Sequence, residues 1–370
     1  MRARPHSEIL SSHSVSERSW LALVPALGLG LAIAFASPAA RSEVSATGGE
    51  TPLVTTPPEP LPPPPDPQGT WSLQVENDIL NGTDRYYTNG LQLSWRSPSD
   101  DLPSPLAWLN QRLDFIQGPG TLRWGLALGH SIFTPQDTQR RNPDPTDRPY
   151  AGLLYGAASI SRETATTLSV LELQLGMVGP SALGEQVQNN WHRFIGVDTA
   201  KGWDYQIKDE PVGALIIDRK WRLPLLMVGN VELEALPSAS ASLGNLQTYA
   251  AGGGLIRFGQ GLDADFGPAR IRPALAGSAF FQPKENSFGW YIFAGAEGRA
   301  IARDILLDGN TWRDSRSVDK RPLVADFQFG AAVIWRGIRF SYTQVIRTEE
   351  FYGQRGGMQE FGSFSVSLRF

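Results

Sequence analysis

Residues 75–95 read VENDILNGTDRYYTNGLQLSW. Just before and inside this stretch, Trp71, Leu73 and Val75 alternate with Ser72, Gln74 and Glu76. Towards its end, Leu91, Leu93 and Trp95 alternate with Gly90, Gln92 and Ser94. Strict alternation marks a strand with one apolar and one polar face. Two such strands flank a short polar loop, so the stretch reads as an antiparallel pair. Asn77, Asp78, Asp84 and Thr88 place oxygen-bearing side chains at or near the two strand ends. That is an unusual density of hard oxygen donors. Alone, Asn77-Asp78 also fits ordinary turn chemistry at a strand end.

The alternation continues to the C-terminus. Strand-like segments occupy 71–78, 88–96, 121–133, 151–161, 167–177, 211–221, 231–243, 247–258, 288–301, 323–335, 338–348 and 359–370. Many have about 10 residues or more, the length of a tilted membrane-spanning strand. In the last, Phe364, Val366, Leu368 and Phe370 alternate with serines and Arg369. A terminal aromatic on such a strand resembles the C-terminal signature of bacterial outer-membrane barrels. The expected fold is all-β: a 12-stranded antiparallel transmembrane β-barrel with a short helix in an extracellular loop. A soluble β-sandwich is the alternative, but its strands are usually shorter.

A thirteenth apolar stretch, Arg270 to Phe281, does not fit as a spanning strand. Single-chain bacterial barrels have an even strand number, with short periplasmic turns. Twelve strands put both the tight Trp335-Arg336-Gly337-Ile338 turn and Phe370 on the periplasmic side. Residues 270–281 are therefore expected in a long periplasmic connection. Residues 97–120 fall on the same side, with a short helix around Pro105 to Ile116. The polar segments 79–87, 134–150 and 178–210 fall outside the cell.

The chain starts with an export pattern. Arg2, Arg4 and Arg18 precede the apolar run Leu21 to Ala36, and Ser37, Ala39 and Ala40 follow. The run is shorter than the roughly 20 residues of a spanning helix. Residues 1–40 read as a cleaved signal peptide, 41–69 as a proline-rich, solvated linker, and 70–370 as the barrel. The 370 residues carry a net charge of −4, so no basic footprint for nucleic acid is present. There is no cysteine, which is compatible with export without disulfides, and there are 11 tryptophans, which suits interfacial girdles. The expected location is the bacterial outer membrane, as a monomer.

Of four histidines, His6 and His13 lie in the presequence. His130 shares a strand parity with Leu126, Leu128 and Ile132 and reads as structural. His192 lies in GPSALGEQVQNNWHRFIGVD, residues 179–198. This segment interrupts the β pattern and reads as a helix, with Ser181 as its cap and Gly196 as its stop. Gln188 and His192 are spaced i, i+4 on one face; Glu185 lies two turns before His192, and Asp198 just beyond the helix. Histidine titrates near neutrality and is the commonest general base, although a histidine on a loop helix is more often structural. No Gly-x-Ser-x-Gly elbow occurs in a strand-to-helix context, which favours attack by water. Arg140, Arg141 and Arg148 share an extracellular loop and could meet phosphate through their guanidinium forks.

Taken together, VENDILNGTDRYYTNGLQLSW, the DRPYAG of Asp147 to Gly152 and GEQVQNNWHRFIG resemble the outer-membrane lipid A 3′-O-deacylases. The resemblance covers roughly residues 71–370 and is strongest in 71–96 and 147–205. It implies a twelve-stranded barrel with its site between the wall and a helix in an extracellular loop. It also implies a mechanism similar to that of secreted phospholipase A2, in which Ca²⁺ polarises the ester carbonyl and histidine activates water. By position, Asn77, Asp78 and Thr88 would be metal ligands, while Gln188 and His192 match the helix pair. Asp198 stands where the family can have glutamate, so the carboxylate survives on a shorter stem and Asp198 joins Gln188 and His192 as an expected catalytic residue; Arg140 stands near a family lysine. The function so implied is removal of the 3′-linked acyloxyacyl group of lipid A within lipopolysaccharide. A non-enzymatic barrel or pore and a phospholipase acting on glycerophospholipids are the rival readings.

Overall fold

The computed structural model describes residues 54–55, 61, 63–78, 85–112, 120–284 and 288–370. Residues 1–40, expected to be a signal peptide, most of the expected linker and Asp84 lie outside them. Twelve long strands carry the fold. They are β1 (Thr70–Asn77), β2 (Tyr86–Arg96), β3 (Thr121–Thr134), β4 (Ala151–Glu163), β5 (Thr167–Val178) and β6 (Glu210–Trp221). They continue with β7 (Val231–Gly244), β8 (Gln247–Gln260), β9 (Gly289–Asp304), β10 (Leu323–Trp335), β11 (Ile338–Arg347) and β12 (Gln359–Arg369). Each pairs antiparallel with its neighbours, and β12 returns to β1 with Phe364 opposite Val75 and Leu368 opposite Trp71. The barrel closes between β6 and β7, with Ala214 opposite Gly244. Past Arg222 a short strand, Leu223–Val228, continues along the lower half of β7. It also pairs with the two-residue strand Val54–Thr55.

The alternation has the sense that a lipid solvent demands. Ser72, Gln74 and Glu76 are buried in the lumen, whereas Trp71 and Leu73 on the same strand are exposed. Leu91, Leu93, Leu126, Leu128, Phe327, Phe329 and Phe364 extend this apolar outer surface around the wall.

The lumen is filled. Residues 261–288 join the inner ends of β8 and β9, and those described contain no strand. They do not stay outside the barrel, as a simple connection would. They fold up into it as a plug. Arg270 reaches Glu76 on β1 and Gln328 on β10, and Arg272 reaches Asp218 on β6. The carbonyls of Ser278 and Phe280 accept from Arg339 on β11. Asp265 is gripped by Arg257, Arg339 at 2.7 Å and the Tyr291 hydroxyl at 3.0 Å. Higher up, Asp326 lies between Arg299 and Arg347. Buried charges persist where they are paired and hydrogen-bonded.

The end of the linker is part of this structure. Asp66, expected in a solvated segment, is buried and holds Arg123 at 3.1 Å and Arg369 at 2.6 Å. At the same end α1 (Ser104–Arg112) overlaps the helix expected around 105–116 and starts one residue earlier. Residues 113–119 are outside the described set.

Candidate active site

The outward row of β3 changes character along its length. Leu126 and Leu128 are exposed. One step further, His130 Nε2 donates to the Ala182 carbonyl at 2.8 Å, and Ile132 is buried against Tyr150, Ala200 and Trp203. The segment 179–205 therefore lies over the outer wall of β3 and β4, and His130 is one of its fasteners. At the base of this contact Gly152 meets Gly184. A Cβ on Gly152 would stand 2.9 Å from the Gly184 nitrogen and 3.1 Å from its Cα. Only glycine lets the two backbones approach so closely.

The DRPYAG motif builds this junction. Asp147 accepts from the backbone of Gln136 and Arg148, each at 2.8 Å. Partial burial raises the Asp147 carboxyl above its ordinary range. Tyr150 packs on Trp203 with ring centres 4.8 Å apart.

Helix α2 (Gly184–Ile195) carries the histidine. Its start differs from the sequence expectation. Ser181 does not cap it: its N–H and hydroxyl both donate to the Asp209 carboxylate, at 2.7 and 2.8 Å. Residues Pro180–Ala182 form a separate 3₁₀ turn, and Leu183, at φ 60°, begins the helix. Gly196 ends it in the left-handed conformation, as expected. Gln188, Asn189 and His192 are buried on the wall side. Gln188 Oε1 accepts from Trp203 Nε1 at 2.9 Å, which turns its NH₂ away from the indole. Asn189 pins the returning chain, accepting from Ala200 N at 2.8 Å and donating to Ala200 O. His192 Nδ1 lies 2.7 Å from the Asp198 carbonyl oxygen. A carbonyl can only accept, so Nδ1 carries a proton, and in the neutral ring Nε2 is then the acceptor nitrogen.

The oxygen donors stand on the strands beside this wall. Asp78 is buried, and its Oδ2 accepts from Arg85 N at 2.9 Å. Asn77 pairs in register with Asn89 and is half-buried. Simple alternation would send Thr88 into the lumen with Gly90 and Ser94. A bulge intervenes: Tyr87 is opposite Phe133, whereas Asn89 is opposite Ile132. Thr88 is the extra residue, and its hydroxyl meets Thr134 Oγ1 at 2.8 Å, on the parity of His130 and Ile132. Among the described residues no three His, Cys, Asp or Glu side chains cluster as a metal site. The donors here are one buried carboxylate, an amide and hydroxyls, all oxygen. Such a set suits a hard cation that also accepts carbonyl and water oxygens.

Two further expectations change. The Asp198 side chain is exposed, and it is the backbone carbonyl that orients His192. Arg148 is no surface phosphate ligand: it is buried, bonded to Glu350 at 2.9 Å and stacked over Phe133. Arg140 and Arg141 are exposed as expected. Arg140 lies 3.8 Å from Asp144, whose carboxyl is held down at about 2 by the N–H and hydroxyl of Thr146 and by Arg355. Sequence reasoning missed Trp203 and Asn189, because their role depends on the chain returning to the helix.

The lumen also encloses a cavity lined by Glu76, Tyr155, Arg272 and Glu350. Its lining comes from lumen-facing strand residues and from Ile271, Arg272 and Pro273 of the plug.

A family model described as "Outer membrane protein LpxR" matches residues 27–370. Among solved structures, LpxR from Salmonella typhimurium is similar with a TM-score of 0.67 and 21% identity, covering 81% of this chain and all of that one. The β domain of the Bordetella autotransporter BrkA has a TM-score of 0.39 at 14% identity, covering 82% and 99%. The translocator domain of NalP from Neisseria meningitidis has 0.32 at 10%, covering 82% and 88%. Comparison with curated proteins gives no match.

Proposed function

The chain belongs to the LpxR family of outer membrane proteins, and from that membership we propose that it is an esterase that removes the 3′-linked acyloxyacyl group of lipid A in the outer leaflet. The observation that carries the reading is the imidazole of His192. It is buried on the wall side of α2 with Nδ1 committed to a carbonyl. Its Nε2 takes a proton from water as the water oxygen bonds to the ester carbonyl carbon. The tetrahedral intermediate then collapses, and the imidazolium returns the proton to the departing 3′ oxygen. The products are an acyloxy-substituted fatty acid and a free 3′-hydroxyl. Gln188, with its amide oriented by Trp203, lies one turn before His192 and positions the reacting group. Asn77, Asp78 and Thr88 would hold Ca²⁺, which when bound supplies a Lewis acid for the developing oxyanion. Arg140 and Arg141 are free of the wall and suit the substrate's phosphates.

The plug and its ion pairs fill the lumen, which speaks against a passive pore. The decisive measurement is mass spectrometry of lipid A from cells making the wild-type protein or His192→Asn at equal outer-membrane abundance. Loss of the 3′ acyl groups with the wild type alone supports the proposal. Unchanged lipid A with the wild type overturns it, and release of fatty acid from glycerophospholipid instead would favour the phospholipase reading.

A further inference from the structure

Helix α2 has three faces, not two. At about 100° per residue, Gln188, Asn189 and His192 fall on one flank, which is buried against the wall. Gln186, Asn190 and Arg193 fall together on a second, exposed flank. Val187, Trp191, Phe194 and Ile195 fall on a third, within a sector about 100° wide. This third face is apolar and exposed; Phe194 is 81% accessible. Trp191 and Phe194 pack their rings together, with centres 5.6 Å apart. A helix that only covered the barrel would need two faces, one against protein and one in water.

The segment that carries this apolar face leaves the wall beside the lipid-facing belt. Leu128 on β3 is 60% exposed to the acyl region, and His130, the next outward residue, already holds the Ala182 carbonyl just ahead of α2. On β5, Leu175 is exposed within a few residues of the point where the chain leaves the wall for this segment. The segment thus begins where the exposed leucines end, with no polar band between them on β3. Amphipathic helices that lie in a membrane interface bury an apolar face at the boundary between headgroups and acyl chains.

We propose that α2 is an interfacial helix whose Val187, Trp191, Phe194 and Ile195 face is seated among lipid acyl chains, with Asn190 and Arg193 towards water. The wall-side flank, with His192, then lies level with the upper ends of the chains. This inference rests on the barrel fold and not on the catalytic reading.

The absence of cysteine allows a clean test. Phe194→Cys, Val187→Cys and Asn190→Cys are each labelled with an environment-sensitive fluorophore in the full-length protein, in phosphatidylcholine vesicles with brominated acyl chains. Folding is checked by the heat-dependent gel shift of the barrel. The probes at 194 and 187 should emit to the blue, lose emission in brominated vesicles and resist aqueous iodide. The probe at 190 should do the reverse. If either folded apolar-face variant is quenched by iodide as strongly as 190 and is insensitive to bromine, the proposal fails. Should Phe194→Cys not fold, Val187→Cys decides alone; if both fail, bromine quenching lost on Trp191→Phe decides, and no difference from wild type overturns the proposal.

Discussion

His192 Nδ1 meets the backbone oxygen of Asp198, 2.7 Å away, while the Asp198 carboxylate faces solvent. The contact that fixes the tautomer thus survives any side chain at 198. His192→Asn should lower deacylation by about 10² to 10⁴, the usual contribution of a general base. Asp198→Ala should retain most of the activity. Rates of 3′ acyl release at equal barrel abundance test this, and a large loss in Asp198→Ala would mean that its carboxylate takes part.

Gly152→Ala should separate site from scaffold. Its new Cβ would press on backbone atoms of Gly184, which cannot rotate away. Helix α2 must lift from the wall, carrying Gln188 and His192 with it. Activity should fall sharply while the heat-shifted barrel band remains, and protease should cut 179–205 faster than in the wild type. Unchanged activity would show that the helix position is not critical.

The barrel was legible because its rule is local. Inside-outside parity repeats every two residues, so Trp71 and Ser72 already declare the lumen and the lipid. The expected strand 88–96 starts at Tyr86 because the Thr88 bulge lets the ladder continue past a break in alternation. What stayed hidden depends on chain return: Arg270 to Phe281 as a plug, Asp66 beneath Arg123, Trp203 behind Gln188. Each pairs residues more than ten positions apart, and composition carries no trace of such pairing. The helix that carries His192 was legible from its spacing and its stop at Gly196, but not that the Asp198 backbone rather than its side chain meets the imidazole.

Arg148 and Arg140, eight residues apart, should respond in opposite ways. Arg148→Ala leaves Glu350 buried with one fewer partner, although Arg347 remains at 3.3 Å. Breaking a buried pair costs about 3 to 5 kcal/mol, so the barrel should lose its heat-resistant form at a lower temperature. Arg140→Ala should leave that temperature unchanged and, if phosphate is its partner, raise KM for lipid A. Equal temperatures for both variants would contradict the buried role of Arg148.

The plug predicts a silent barrel. Wild-type protein in planar bilayers should show no steady conductance, because residues 266–281 cross the lumen and are tied to β1, β6, β10 and β11. Replacing 267–279 with a short glycine-serine linker should open a channel in the variants that still fold. Large steady conductance from the wild type would restore the pore reading.

Metal dependence is the sharpest consequence of the donor set. Among the described residues Asp78 supplies a carboxylate, with Asn77 and Thr88 as neutral oxygens, so a cation would complete its shell with carbonyl and water oxygens. Calcium accepts such irregular, partly hydrated shells at 2.3–2.6 Å, whereas magnesium demands a tight octahedron. EDTA should therefore abolish activity, Ca²⁺ should restore it, and Mg²⁺ should restore it poorly. Asp78→Asn should shift the Ca²⁺ concentration needed for half activity upward, because a neutral amide replaces a charged carboxylate. Thr88→Val should have a smaller effect and should also free the Thr134 hydroxyl. The heat-dependent gel shift should be unaltered in both variants, because both residues stand at strand ends and not within the long ladders that close the barrel. Binding of Ca²⁺ itself, followed by calorimetry on His192→Asn, separates ligand loss from catalytic loss: this variant should still bind. Full activity of the wild type in EDTA would exclude the calcium site, whatever becomes of His192.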